Sequence, residues 1–242
     1  MKPAIKRVPK STFPNLITLL NLFMGFWAVT EAFRGEIIGA VWTVYFATFL
    51  DLVDGRLAKA LGATSPFGAE FDSLADVMAF GVAPAVILYN AYFADWEFYG
   101  VLLGFMPLGF SAMRLARFNV AGKAKYFQGI PTPISAQLLV GFVGFAYTIW
   151  DSYEYPVMAS VLAVIVSFLM VSKIPFDSNV IDNPRSFAQT WKLIPFFLSI
   201  LSVALFGIIA IFPWAAIYVV IGLLRWLVAH FSPVSAAPIA IL

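Results

Sequence analysis

Eight apolar stretches divide the chain, and short polar segments separate them. Each stretch has at least 17 residues, which is about the shortest helix that crosses a hydrocarbon core of ~30 Å. The pattern therefore predicts an all-α integral membrane protein with about eight transmembrane helices, the last two joined by a tight turn at Pro213. The stretches cover approximately residues 16–32, 37–58, 67–93, 98–118, 132–150, 156–172, 193–212 and 214–231.

The basic residues predict which way the helices are inserted. With eight spans, fourteen of the fifteen Lys and Arg residues fall on one side of the membrane, and Arg34 alone falls on the other. The positive-inside rule then places both termini and the segment 56–66 in the cytoplasm. The basic segment 1–13 is expected to lie on anionic lipid headgroups.

Composition narrows the class of protein further. At 62% hydrophobic and 12% charged residues, the chain is not a soluble globular protein. A formal charge of +2 is too small to indicate a nucleic-acid partner, and the absence of cysteine excludes a disulfide framework or a thiolate metal site. We find no soluble second domain and predict a single membrane domain over residues 1–242.

Four aspartates stand out because ionisable groups inside apolar helices are costly and mark functional sites. They form two pairs at helical spacing, three residues apart in the first pair and four in the second. Between the pairs, Ser65-Pro66 is typical of a helix N-cap followed by proline at the first helical position, which predicts two antiparallel neighbouring helices with all four carboxylates at one level near a membrane surface. Such a cluster needs protons or cations, and two hard divalent cations suit it. The aspartates are Asp51, Asp54, Asp72 and Asp76.

Other residues could line the same site. Gly55, Ala58 and Gly68 lie on the aspartate faces and leave room for a ligand, although small residues also suit a simple helix-packing seam. Arg114 and Arg117 end the fourth stretch on one helical face, either as ordinary positive-inside residues or as ligands for a phosphate or carboxylate. Of the two, we favour Arg117 for the carboxylate. The polar residues Asn15, Thr18 and Asn21 could reach the site, or could equally form helix–helix hydrogen bonds.

The pattern Asp51-x-x-Asp54-Gly55-x-x-Ala58, followed by Gly68-x-x-x-Asp72-x-x-x-Asp76, resembles the motif of the CDP-alcohol phosphotransferases. One position departs from it, because Lys59 stands where the family usually has arginine. The resemblance implies that the four aspartates hold two divalent metal ions, Mg²⁺ or Mn²⁺, with Asp76 also acting as the catalytic base. It also implies a homodimer. For the nucleotide and its diphosphate it implies a site formed by Gly55, Ala58, Lys59, Ser65 and Gly68.

Further segments resemble the phosphatidylserine synthase branch of that family, among them RLARFNV and GIPTPISA. This likeness covers roughly residues 14–176 as a catalytic core of six spans, and leaves 190–232 as two additional spans. It implies transfer of a phosphatidyl group from CDP-diacylglycerol, or from an archaeal CDP-ether lipid, to L-serine at the cytoplasmic face of the membrane. A sister enzyme acting on glycerol 3-phosphate or inositol phosphate remains an alternative. From another class, a divalent cation transporter would also carry intramembrane carboxylates.

Overall fold

The computed structural model describes residues 12–121, 128–176 and 193–231. Over these residues the chain is helical, and its only β pairing is an isolated bridge between Gln128 and Pro175. Short π-helical segments at Val77–Val82 and Tyr89–Phe93, and 3₁₀ segments at Ala94–Trp96 and Gly207–Ala210, join some of the helices. The helices are α1 (Thr12–Phe33), α2 (Ile37–Ala60), α3 (Pro66–Asp76), α4 (Ala83–Leu88), α5 (Glu97–Ala121), α6 (Thr132–Trp150), α7 (Pro156–Val171), α8 (Leu193–Phe206) and α9 (Ile211–Phe231).

The prediction of an all-helical membrane protein is confirmed. Five helical runs in the described part of the chain are long and apolar enough to cross a membrane, and α7 is a shorter apolar helix. One run, Pro66–Val120, has 55 residues, about 80 Å at 1.5 Å per residue, which far exceeds one crossing. The total of eight spans, the side on which the termini lie and the division at residues 13, 176 and 190 all stay predictions.

The turn between α2 and α3 follows the predicted capping chemistry. Gly62 has φ +58°, a left-handed conformation that glycine adopts without strain. The hydroxyl of Ser65 then accepts a hydrogen bond of 3.0 Å from the backbone N–H of Gly68, and Pro66 is the first helical residue. The predicted start of the second aspartate helix is therefore confirmed.

Helix α1 lies against both aspartate helices. Its buried residues recur every three or four positions and include Thr18, Asn21 and Gly25, so they form one face. A Cβ at Gly25 would lie 2.8 Å from backbone atoms of Ala79, which means that the two backbones are in contact there. Together with Asn15 beside Gly68 near the start of α3, this contact shows that α1 and α3 run in parallel.

The break before the last helix differs from the one predicted at Pro213. The turn occurs at Gly207, with φ +70°, and Pro213 lies inside the first turn of α9. Proline is well tolerated there because the first N–H groups of a helix have no intrahelical acceptor. Helix α9 packs on α6 through Gly141, where an added Cβ would come within 3.0 Å of the Phe212 backbone nitrogen.

Candidate active site

Three of the four predicted aspartates converge between α2 and α3. Asp51, Asp72 and Asp76 each offer a carboxylate oxygen, and these oxygens all lie within 4.8 Å of one another. Asp76 is only 8% exposed. One oxygen of Asp72 and one of Asp76 are buried without any hydrogen-bond partner. We call these three residues the carboxylate cluster.

Asp54 lies on the same helix as Asp51, and α1 fixes its orientation. It is 3% exposed, and its Oδ2 accepts a hydrogen bond of 2.8 Å from the hydroxyl of Thr18. Its charge acts on both Asp51 and Asp72. The structure thus brings three of the four predicted carboxylates into one group and keeps Asp54 beside it. Thr18, for which the sequence left open a role at the site or a helix–helix hydrogen bond, holds Asp54 in place.

The two arginines at the end of α5 have different surroundings. Arg114 is partly buried, donates a hydrogen bond of 2.7 Å to the hydroxyl of the buried Thr132, and acts electrostatically on Asp76. Its Nε is buried without a partner. Arg117 is exposed and donates to the Val171 carbonyl at 3.1 Å and to the side-chain oxygen of Gln128. Arg114 therefore lies toward the cluster, whereas Arg117 fastens the segment before α6 to the end of α7.

The cluster brings three acidic groups together in a partly buried space. Unit charges 4 Å apart interact by about 4 kcal/mol at an effective dielectric constant of 20, so three adjacent carboxylates cannot all stay ionised without a counter-charge. Arg114 supplies a single positive charge near Asp76. Carboxylate oxygens at this separation suit a hard divalent cation. The unpartnered oxygens of Asp72 and Asp76 also fit such a ligand.

The residues predicted to bind nucleotide lie in the last turns of α2, in the following turn and in the first turn of α3. Gly55 is exposed, and an added Cβ there would meet nothing within 4 Å, so a ligand can approach the backbone. Ala58 is partly buried and Lys59 is exposed. Ser65 caps the N–H of Gly68, and a Cβ at Gly68 would come within 3.2 Å of that same hydroxyl.

A hydrogen-bonded chain ties α3 to α5. The amide nitrogen of Asn119 donates to Glu70 at 3.0 Å, and its oxygen accepts from the hydroxyl of Ser73 at 3.2 Å. Ser73 neighbours Asp72 in sequence, and Asn119 lies on the helix that carries Arg114. These contacts hold the second aspartate helix and the arginine helix in a fixed relative position.

This arrangement agrees with a family comparison of the sequence. The family model described as CDP-alcohol phosphatidyltransferase matches residues 11–221, which include the carboxylate cluster, Asp54 and both arginines. The chain belongs to the CDP-alcohol phosphatidyltransferase family.

Several members of the family resemble the chain over most of its length. A protein of Helicobacter pylori named CDP-diacylglycerol–serine O-phosphatidyltransferase is 34% identical over 229 residues, which is 90% of this chain and 92% of that protein. A protein of Methanocaldococcus jannaschii with the same name is 35% identical over 68% of this chain and 73% of its own length. The archaetidylserine synthase of Methanothermobacter thermautotrophicus is 31% identical, covering 67% of this chain and 68% of that protein.

Helix α6 contributes buried polar residues near the site that we did not predict from the sequence. Thr132, taken only as part of a helix start, is fully buried and accepts the hydrogen bond from Arg114. Gln137 is also buried and donates to the hydroxyl of Thr48 at 2.5 Å, one helical turn before Asp51. A glutamine in an apolar transmembrane stretch is itself a signal of a buried polar contact, and it could have been noticed.

Proposed function

We propose that the protein transfers the phosphatidyl group of a CDP-linked lipid to L-serine and releases CMP, in phospholipid synthesis. The observation that carries the proposal is the partly buried carboxylate cluster, in which Asp76 interacts with Arg114. This arrangement offers anionic ligands for cations and a cation for the carboxylate of serine. The names of the bacterial and archaeal relatives support serine as the acceptor. Because one relative is an archaetidylserine synthase, the donor is either CDP-diacylglycerol or a CDP-ether lipid.

Two divalent cations, Mg²⁺ or Mn²⁺, belong to this proposal. Asp51, Asp72 and Asp76 would hold them together with Asp54. Thr18 is bonded to Oδ2 of Asp54, which leaves Oδ1 as the oxygen that would bind a cation. Bound cations supply neutralisation of the diphosphate and stabilisation of the departing CMP. The donor set contains only oxygen, which is what hard cations prefer.

Asp76 is the proposed catalytic base. Its carboxylate takes the proton of the serine hydroxyl while the serine oxygen attacks the phosphorus on the lipid side of the diphosphate. The new bond joins serine oxygen to phosphorus, the bond from that phosphorus to the bridging oxygen breaks, and its electron pair leaves with CMP. A base must lie within reach of the proton that it removes, and Asp76 is the member of the cluster that interacts with Arg114, the proposed partner of the serine carboxylate.

Arg114 is the proposed partner of the serine carboxylate, because its guanidinium has a buried N–H without an acceptor and a planar fork suits carboxylates. Arg117, which we favour on sequence grounds, is instead bound to Val171 and Gln128. Its proposed role is to hold the start of α6, where Thr132 contacts Arg114.

The proposed nucleotide site lies around Gly55. Gly55 and Ala58 leave space for the CDP group, Lys59 offers a positive charge to the diphosphate, and the start of α3 offers backbone N–H groups. Within that start, Ser65 contributes by shaping the turn, since its hydroxyl accepts from Gly68.

We also propose that the site opens to the cytoplasm and that the protein is a homodimer, as the distribution of basic residues and the family resemblance imply. Because the chain has no cysteine, sidedness can be tested by labelling single cysteines with an impermeant thiol reagent in intact cells. Thr64→Cys, in the exposed turn between the aspartate helices, should stay unlabelled until the cells are opened, whereas the matched variant Arg34→Cys should be labelled from outside. The reverse pattern would overturn the orientation.

The proposed reaction can be tested with purified protein, CDP-diacylglycerol and Mn²⁺. Separate reactions would contain L-serine, glycerol 3-phosphate, inositol phosphate or no acceptor, and CMP release and the lipid product would be measured in each. Phosphatidylserine should form in equal amounts with CMP, with L-serine giving a rate at least ten-fold above the other acceptors. Faster release with glycerol 3-phosphate or inositol phosphate would contradict serine as the acceptor. The absence of CMP release with every acceptor would contradict the transferase itself.

A further inference from the structure

Asn21, in the middle of α1, is a buried polar side chain whose role the proposed reaction leaves unexplained. It is 0% exposed, and neither its amide nitrogen nor its amide oxygen has a hydrogen-bond partner. Leaving a buried polar group without a hydrogen-bond partner is unfavourable, because the group loses its bonds to water and gains none in return. The helix–helix hydrogen bond that would explain an asparagine here is absent among the described residues, so the amide needs another explanation.

The packing of α1 sets Asn21 level with the carboxylate cluster on both neighbouring helices. Helices α1 and α2 are antiparallel, and Thr18 contacts Asp54. Asn21, three residues after Thr18 on α1, is therefore level with Asp51, three residues before Asp54 on α2. Helices α1 and α3 are parallel, and Gly25 contacts Ala79 in the π-helical segment that continues α3. Asn21 lies four residues before Gly25 on α1, and Ala75 lies four residues before Ala79, next to Asp76. Asn21 is therefore level with the end of α3 that carries Asp76.

The same helical face carries all of these contacts. Thr18, Asn21 and Gly25 follow each other at intervals of three and four residues, so their side chains lie on one side of α1. The residues before and after Asn21 on this face contact the two aspartate helices directly. Asn21 is therefore directed toward the space between those helices, where oxygens of Asp72 and Asp76 are also buried and unpartnered.

We propose that the amide oxygen of Asn21 is a neutral ligand of a divalent cation held by the carboxylate cluster. This inference rests on the cation site of the proposed function. Amide oxygens are regular ligands of hard cations. A neutral oxygen would add a ligand without adding another negative charge to a site that already has three clustered carboxyl groups and Asp54 beside them.

Metal binding without substrate tests the inference. Mn²⁺ would be titrated into purified protein in detergent, and the concentration giving half of the maximal rise in unfolding temperature would be compared between variants. Asn21→Leu, which is similar in size but has no ligand atom, should need at least ten-fold more Mn²⁺. Asn21→Asp, which keeps an oxygen at that position, should need no more than the unaltered protein.

Ser167→Ala is the matched control. Ser167 lies on α7, is 0% exposed, and its hydroxyl also has no partner. Its removal should leave the Mn²⁺ requirement unchanged. A shift equal to that of Asn21→Leu would mean that losing any buried polar group weakens the site, which would overturn the inference.

Two other results would overturn it. One is an unchanged Mn²⁺ requirement in Asn21→Leu. The other is that Asn21→Asp needs more Mn²⁺ than the unaltered protein, because this would assign the role to the amide nitrogen. The result for Asn21→Asp is decisive even if Asn21→Leu does not fold. The proposed function fails separately: if serine gave no CMP release while Mn²⁺ binding depended on Asn21 as described, the inference would stand and the serine reaction would not.

Discussion

The two ends of the α1–α2 pair differ in whether the carboxylate groups near them have buried oxygens without a hydrogen-bond partner. Near the loop that joins the helices, Glu31 accepts a hydrogen bond of 2.6 Å from Thr43, and Gly39 on α2 gives its carboxylate room. At the other end, Asp54 likewise accepts a hydrogen bond from Thr18 on α1, but one oxygen each of Asp72 and Asp76, on the helix packed beside the pair, is buried without a partner. A satisfied carboxylate joins two helices, whereas unsatisfied carboxylates in a group indicate a ligand site.

The largest effect is expected for Asp72→Asn, at the cluster. The change is isosteric and removes a buried charge, so the protein should fold, but CMP release should fall at least 100-fold, about 2.7 kcal/mol of transition-state stabilisation. Glu31→Gln, the equivalent change at the other end, keeps an acceptor for Thr43 and should retain activity within two-fold. Initial rates with L-serine measure both, and similar losses in the two variants would remove the distinction.

The next largest effect is a loss of stability when the contact between α1 and the segment that follows α3 is disturbed. In Gly25→Ala the new Cβ would lie 2.8 Å from the Ala79 backbone, and overpacking of this kind costs about 1–3 kcal/mol. Gly55→Ala meets nothing within 4 Å and gains up to about 1 kcal/mol of helix propensity. Unfolding in mixed micelles should therefore show a loss of stability only for Gly25→Ala.

Kinetic measurements on Gly55→Ala test whether the space beside Gly55 binds the nucleotide. Gly55→Ala should be stable but should raise the KM for the CDP-lipid, because its methyl group occupies space that we assign to the nucleotide. An unchanged KM would mean that the open space beside Gly55 has no part in binding.

The two arginines provide a smaller and more selective test. Arg114→Lys should raise the KM for serine about ten-fold, or ~1.4 kcal/mol, because a forked contact becomes a single one, and should change the KM for the CDP-lipid less. Arg117→Lys, on an exposed residue bound to Val171 and Gln128, should change the serine KM less than three-fold. Steady-state kinetics in both substrates would contradict the assignment if Arg114→Lys weakened only the lipid.

The smallest expected effect is at Thr18, which orients Asp54. Thr18→Val removes the hydrogen bond of 2.8 Å while nearly keeping the volume, and a loss of about 1 kcal/mol should lower kcat about five-fold. Thr18→Ser keeps the hydroxyl and should restore the rate. Equal kcat values for Thr18→Val and Thr18→Ser would show that the hydroxyl does not matter.

Helical periodicity was enough to predict the aspartate faces, because residues three or four apart share a face wherever a helix forms. The start of α3 was also predictable, since Ser65 and Pro66 act through local chemistry that no distant contact overrides. The turn predicted at Pro213 was wrong because proline alone does not identify a break in a helix. Proline suits the first turn of a helix as well as a break, and Gly207, which adopts the positive φ, carries the turn.

What the sequence could not provide depends on contacts between distant helices. A spacing of three puts Arg114 and Arg117 on one face, but only packing against α6 and α7 decides which of them lies toward Asp76. Likewise, nothing local distinguishes Thr18, which bonds Asp54, from Asn21, which bonds nothing among the described residues. Their difference arises from the relative positions of three helices.

A crystal structure of the protein grown with Mn²⁺, with data collected at the manganese absorption edge, tests the central claim most directly. We expect anomalous density within coordination distance of Asp51, Asp72 and Asp76, and none at Glu31, whose carboxylate is already bonded to Thr43. Density at Glu31, or none at the cluster at saturating Mn²⁺, would contradict it.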